Sequence, residues 1–434
     1  MTATQPRTAD TTSGPIGAPT DGHGRPVRFQ PRGPIRRAAT LLSPAATVAG
    51  QVALERDAGV RVERLISAAT DRIREHRHPR RPRMRALIAS GGGRLGWRDV
   101  PAPPDPGPDG ALVRPITVAT CDLDRALALG ATPFPLGLGI GHECVAEVLL
   151  VGERVSSVEP GQRVCVPFQI NCGRCGACRA GLTSNCTAVP PLSMYGFGVG
   201  GGHWGGVLAD QVAVPYADAM LVPLPDGVDP VAAASVSDTI CDGYRHIAPH
   251  LPGLLRRDPG ADVLILGCLG RRTIYSPSVT LYAGQVALAL GARQVRLADG
   301  RPDVRAAATR LGLEPLHPRQ LRRTPPAALV VSATVSSRGL WTALSLTAPD
   351  GVCSSVGALH RSTRLPAMRL YGRNASFHIG RTHARALMPE VLELMAAGRF
   401  HPERVISTHG SLDDAPRLLS RHYRGSDIKT VLST

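Results

Sequence analysis

Four cysteines in one short stretch constrain this chain more than any other feature: Cys172-x2-Cys175-x2-Cys178-x7-Cys186. Gaps of two residues let a tight turn aim successive thiolates at one point. A fourth ligand from a short loop then closes a tetrahedron with Zn–S distances near ~2.3 Å. Glycines at 173, 176 and 181 give the backbone the freedom to fold round an ion. Four thiolates leave no open coordination position, so a structural zinc is expected here, against the alternatives of unmetallated thiols or a redox Cys-x-x-Cys pair. A disulfide framework is a weaker reading for a chain expected to be intracellular.

A second constellation lies upstream, where Cys121-Asp122-Leu123-Asp124 precedes Gly141-His142-Glu143. One thiolate and one imidazole suit a zinc that keeps a position open for substrate. Separated as they are, a Cys and a His prove little by themselves.

At 434 residues the chain exceeds what one core usually holds, so two domains plus an extension are expected. Residues 1–40 are rich in Pro, Gly, Thr and Arg without periodicity, and read as disordered. Ser43-Pro44 is expected to open a helix towards Arg74, and the run His76 to Arg83 reads as a linker. From Met84 to about residue 225, short β-like runs (Val145 to Val151, Arg163 to Pro167, Gln211 to Val214) suggest a barrel-like domain. From Ala261 strand and helix alternate. Strands are expected at Val263 to Gly267, Gln294 to Asp299 and Ala328 to Ser332, and a helix at Pro277 to Leu290 with Ser276 as its cap. That alternation predicts a parallel, doubly wound sheet.

The net charge of +16 invites a nucleic-acid reading. It comes almost entirely from arginine, Lys429 being the sole lysine, and half of the excess lies in residues 1–83 with no recognition motif. Nucleic acid is therefore not expected as a partner. No apolar run is long enough to span a bilayer, and Met1 to Asp21 lacks a signal-peptide core, so no membrane association and a cytoplasmic location are expected.

The order of Cys121, Gly141-His142-Glu143, the four-cysteine run and then a strand–Gly–helix unit resembles the zinc-containing medium-chain alcohol dehydrogenase family. The likeness extends over Met84 to Thr434 and includes Val158 to Val164 and Gly205 to Asp210. It implies an α/β architecture in which a GroES-like β-rich catalytic domain (84–238 and 380–434) is interrupted by a Rossmann dinucleotide-binding domain (239–379), after a basic, largely disordered extension (1–83). It also implies Asp238, in Ser237 to Tyr244, as the third ligand of a catalytic zinc with Cys121 and His142, and Glu143 close by. Two zinc ions per chain, a nicotinamide cofactor, a small alcohol or aldehyde substrate and a homodimer or homotetramer follow from the same likeness. Zinc would act as a Lewis acid on the substrate oxygen while the cofactor exchanges hydride.

The cofactor loop is less regular. Gly267-Cys268-Leu269-Gly270 is followed by Arg271 to Ser276, longer than a G-x-G-x-x-G turn, with Thr280 where a third glycine belongs. Gly267, Gly270 and Ser278 at the helix start are the phosphate candidates. Asp299 at the next strand end favours NAD by binding ribose hydroxyls, while Arg301 leaves room for NADP. The likeness places Lys429 at the pyrophosphate. It also shows departures: Leu123 and Ala126 stand where the family places a proton relay, and Asp242 where a threonine meets nicotinamide. Asp242 or Glu143 are the substitutes by position. The alternative is a zinc-binding member with weak or lost hydride transfer that serves as a binding or regulatory protein.

Overall fold

The computed structural model describes residues 82–89, 94–129, 139–189, 192–197, 204–357, 363–425 and 427–434. The expected N-terminal extension and its helix lie outside the described residues. Strands β1 (Arg83–Ala89) and β2 (Leu95–Pro101) pair antiparallel as a ribbon. The chain then builds β3 (Ala111–Ala119), β4 (Glu143–Val151), β5 (Arg163–Val166), β6 (Val212–Val214) and β7 (Val222–Pro223). Next come six strands of a second sheet: β8 (Val263–Leu266), β9 (Val295–Ala298), β10 (Glu314–Leu316), β11 (Ala327–Ser332), β12 (Thr347–Ser355) and β13 (Ser376–Ile379). Finally β14 (Thr408–Ser411) and β15 (Thr430–Ser433) return to the first sheet, whose order is β14-β15-β3-β4-β5-β7 with β6 on β3.

The second sheet is parallel throughout, in the order β10-β9-β8-β11-β12-β13. Counted from β8, that is the 3-2-1-4-5-6 order of the dinucleotide-binding fold, with its switch point between β8 and β11. The sequence of β8 explains its place. All four residues of Val-Leu-Ile-Leu are buried, Val263 and Ile265 in one apolar cluster and Leu264 and Leu266 in another. A strand buried on both faces needs no polar alternation. The chain is therefore a GroES-like β-rich unit plus a Rossmann sheet.

Four helices set the stage for the site: α1 (Asp124–Leu129), α2 (Thr239–Arg245), α3 (Ser278–Ala289) and α4 (Ala384–Ala396). Helix α3 is buried along most of its length and packs on α2 at Gly243, where a Cβ would lie 2.9 Å from the Ala283 nitrogen. Apolar residues of α2, α3, α4 and β8 share one core, among them Ile240, Tyr282, Met388 and Ile265, so the two sheets are joined by packing.

One local expectation is corrected. Helix α3 begins at Ser278, and Ser276 does not cap it, its hydroxyl lying 3.1 Å from His422 Nε2. The capping acceptor comes instead from Asp122, a remote carboxylate that offers the free amides a charged partner. Among the described residues no helix is long and apolar enough to cross a membrane.

Candidate active site

Cys121 follows the end of β3, His142 immediately precedes β4, Glu143 opens it, and Asp238 precedes α2. These elements bring one ligand atom of each residue within 4.8 Å of all the others, and all four residues are buried. His142 Nε2 lies 3.2 Å from Asp238 Oδ2, while His142 Nδ1 has no hydrogen-bond partner and sits 3.8 Å from Asp124 Oδ1. The Cys121 thiol is pushed well above its ordinary pKa by burial, then by Asp238, Asp124 and Glu143. Carboxylates crowded round a buried thiol and imidazole repel one another unless a cation sits among them. That donor set fits a divalent zinc. Cys241, three residues beyond Asp238, is wholly buried and stands outside the group.

Glu143 is the member with a fixed cation of its own. Its Oε2 accepts from Lys429 Nζ at 2.7 Å, and Oε1 accepts from the Thr239 amide at 3.3 Å. Burial pushes the Glu143 carboxyl up to about 7, against the pull of Lys429. Lys429 also donates to the Thr239 hydroxyl at 2.8 Å and to the Thr120 carbonyl. Its ammonium is sealed from solvent on Glu143, rather than displayed for a pyrophosphate as expected. Asp242 pairs with Arg245 at 2.5 Å, so this carboxylate, one of the two proposed substitutes for the missing relay, already has a cation.

Three functional neighbours escaped the sequence reading. Asp124 accepts from the Cys121 amide at 2.9 Å, so it holds that metal-binding candidate, and its carboxylate faces His142 at 3.8 Å. Phe168 and Phe197 place their rings 5.8 and 4.5 Å from the His142 ring and give the site an apolar wall. The carboxylates one and three residues after Cys121 were visible signals; the phenylalanines had none.

The four-cysteine lobe forms a second group, with the sulfurs of Cys172, Cys175, Cys178 and Cys186 within 4.8 Å of one another. Gly173 and Gly181 adopt φ of +70° and +76°, which the turns require. The Cys172 thiolate is held down, to about 4, by the Cys186 thiol and by the amides of Arg174 and Cys175 at 3.4 Å. Four soft donors with amides turned towards the sulfur fit zinc in a closed site. Ser184 ties the lobe to His383, its hydroxyl 2.7 Å from Nδ1.

At the switch point, Gly267 follows β8 so closely on β9 that a Cβ would come within 2.4 Å of Asp299 Oδ2. Asp299 accepts from the Cys268 amide at 3.0 Å, and from the Arg301 amide, Nε and Nη2 at 2.8–2.9 Å. Gly270 lies against Gly300, and the Arg301 Nη1 donates to the Tyr275 carbonyl at 3.0 Å. The topology fits a dinucleotide, and the loop after β8 is tied through its own contacts to Asp299, Gly300 and Arg301.

A GroES-like barrel and a Rossmann sheet that flank a buried thiol–imidazole–carboxylate cluster define a nicotinamide-dependent oxidoreductase of the alcohol dehydrogenase type. Residues 107–226 match the alcohol dehydrogenase GroES-like domain. A medium chain reductase/dehydrogenase from an Acremonium species is 31% identical over 238 residues, 52% of this chain and 76% of that protein. A probable zinc-binding alcohol dehydrogenase of Mycobacterium tuberculosis is 27% identical over 361 residues, 80% of this chain and 88% of that one. The solved alcohol dehydrogenase from Thermus sp. ATN1 superposes with a TM-score of 0.72 at 29% identity, over 81% of this chain and 99% of that one. The chain belongs to the zinc-containing medium-chain dehydrogenase/reductase family.

Proposed function

We propose that the chain transfers a hydride between a small alcohol, or the matching aldehyde or ketone, and NAD, at a zinc held by Cys121, His142 and Asp238. The observation that carries this reading is the buried cluster of those residues with Glu143, all within 4.8 Å. A zinc there supplies a Lewis acid that lowers the pKa of an alcohol or polarises a carbonyl. The nicotinamide, when bound, supplies the hydride acceptor or donor.

The chain's own residues do the rest. Asp124 holds Cys121 through its amide and faces His142. Phe168 and Phe197 keep water from the His142 face. Glu143 stays within reach of the metal position while Lys429 balances its charge. The four cysteines hold a second zinc that shapes the lobe Cys172 to Cys186. Residues 84–238 with 380–434 would then form the catalytic unit, and 239–379 the dinucleotide unit. Asp299 sets the preference for NAD, its charge tempered by Arg301. Assembly is as a homodimer or homotetramer.

The test is spectrophotometric. Zinc-loaded protein is supplied with NAD and a panel of primary and secondary alcohols, and with NADH and the matching carbonyls. Reduction or oxidation of the nicotinamide with at least one pair is expected. Fully metallated protein inert to every pair in both directions would favour the binding-protein alternative.

A further inference from the structure

The amides that open α3 are the natural seat for the pyrophosphate of a dinucleotide, because they are unpaired within the helix and lie at its positive end. Here a side chain of the same chain sits on them. Asp122 Oδ1 accepts from the Ser278 amide at 3.0 Å and from the Ser278 hydroxyl at 2.5 Å, and Oδ2 accepts from the Val279 amide at 3.1 Å. Its carbonyl also accepts from the Ser276 amide at 3.2 Å. Asp122 is the residue next to Cys121, so the same short connection reaches the proposed metal centre and the phosphate seat.

The segment that leads to this seat is held by contacts of its own. Arg125 Nη1 donates to the Thr273 carbonyl at 3.1 Å, and the Gly300 amide donates to the Cys268 carbonyl at 2.7 Å. With Arg301 on Asp299 and Tyr275, the segment from Gly267 to Ser276 is tied down on both flanks. A pyrophosphate brought to this arrangement meets two amides already used and a carboxylate of its own sign. The phosphate group and the described arrangement do not fit together.

We propose that Asp122 is an intramolecular competitor for the cofactor's pyrophosphate: its carboxylate must leave Ser278 and Val279 before a dinucleotide can be seated. The carboxylate makes the contacts a phosphate oxygen would make, so it stabilises the empty site and weakens binding by the same interaction. The proposal rests on the nicotinamide reading above and deepens it. It makes Asp122 a determinant of cofactor affinity rather than a group that touches the reacting atoms.

The experiment measures binding, not turnover, on the full chain with its zinc content checked. Kd values for NADH, for ADP-ribose (pyrophosphate without nicotinamide) and for adenosine are compared between the unmodified protein, Asp122→Asn and Asp122→Ala. NADH and ADP-ribose should bind about ten-fold more tightly to Asp122→Ala, with Asp122→Asn intermediate and adenosine unchanged. The melting midpoint without ligand should fall, and the rise caused by ADP-ribose should grow. A residue that merely caps the helix would lower the midpoint and leave both Kd values alone, which overturns the proposal. Asp122→Asn guards against misfolding of the alanine variant. If the unmodified protein binds NADH and turns over an alcohol but neither variant binds more tightly, the competitor fails and the dehydrogenase reading stands. If no form binds NADH or ADP-ribose, both fail together.

Discussion

Lys429 Nζ lies 2.7 Å from Glu143 Oε2, and neither side chain has any exposure to solvent. The pair joins the residue just before β15 to the first residue of β4, next to the metal-binding candidate His142. It thereby ties the C-terminus to the proposed catalytic centre. Removing one partner leaves a buried charge unbalanced. Lys429→Met should therefore destabilise the fold by about 3–5 kcal/mol in urea unfolding. Lys429→Met combined with Glu143→Gln should recover part of that loss, and a double variant no better than the single one would show that the pairing is not what matters.

His422 is buried between Ser276 and Thr430, and burial, with Lys429 next in effect, lowers its pKa to about 4. The folded state therefore holds His422 neutral where the unfolded chain, with a pKa near 6.5, takes up a proton. Its contribution to stability is fully present above about pH 6.5 and is lost as pH falls towards 4. The loss amounts to at most about 3–4 kcal/mol. His422→Gln should flatten the decline in melting midpoint between those pH values. An unchanged slope would assign the acid sensitivity to other groups.

The zinc proposed for the four-cysteine lobe should be released slowly, because four thiolates would enclose it and couple its binding to local folding. Cys175→Ser should reduce the zinc content by one ion per chain and expose the segment around Cys172 to Cys186 to protease. Intact resistance to cleavage with the zinc gone would mean that the lobe is held by other contacts, such as Ser184 with His383.

Cofactor choice can be tested at the end of β9. Asp299 binds Arg301 through both carboxylate oxygens. Asp299→Ala should release that guanidinium towards a 2′-phosphate and shift the preference from NADH towards NADPH by about ten-fold or more. A variant whose ratio of affinities is unmoved would place the selectivity elsewhere in the loop.

Much of this was legible in the residues. The Cys172 to Cys186 spacing is local, and local spacing translates directly into a cluster. Strand β8 announced itself because a run buried on both faces can contain only apolar residues. Asp238 was reachable through the family resemblance, as it stands 96 positions from His142. The start of α3 was not legible, because its cap comes from Asp122, 156 positions away. Ser276-Pro277 satisfies every local rule for a helix start, and a charged acceptor arriving through the tertiary fold overrides it. The same holds for Lys429, for which the family resemblance implied a ligand contact and whose partner is 286 positions distant. Charges that meet through the fold leave no trace in spacing.

The residue proposed to complete the catalytic centre is Asp238 rather than Cys241. Cys241 is the softer donor, but it is buried three residues beyond Asp238 and outside the cluster. Zinc per chain, measured on freshly purified protein, tests the assignment most directly. The unmodified chain should hold two ions. Asp238→Ala should hold one and lose alcohol oxidation, and Cys241→Ser should keep both. Two zincs in Asp238→Ala together with one in Cys241→Ser would contradict the assignment.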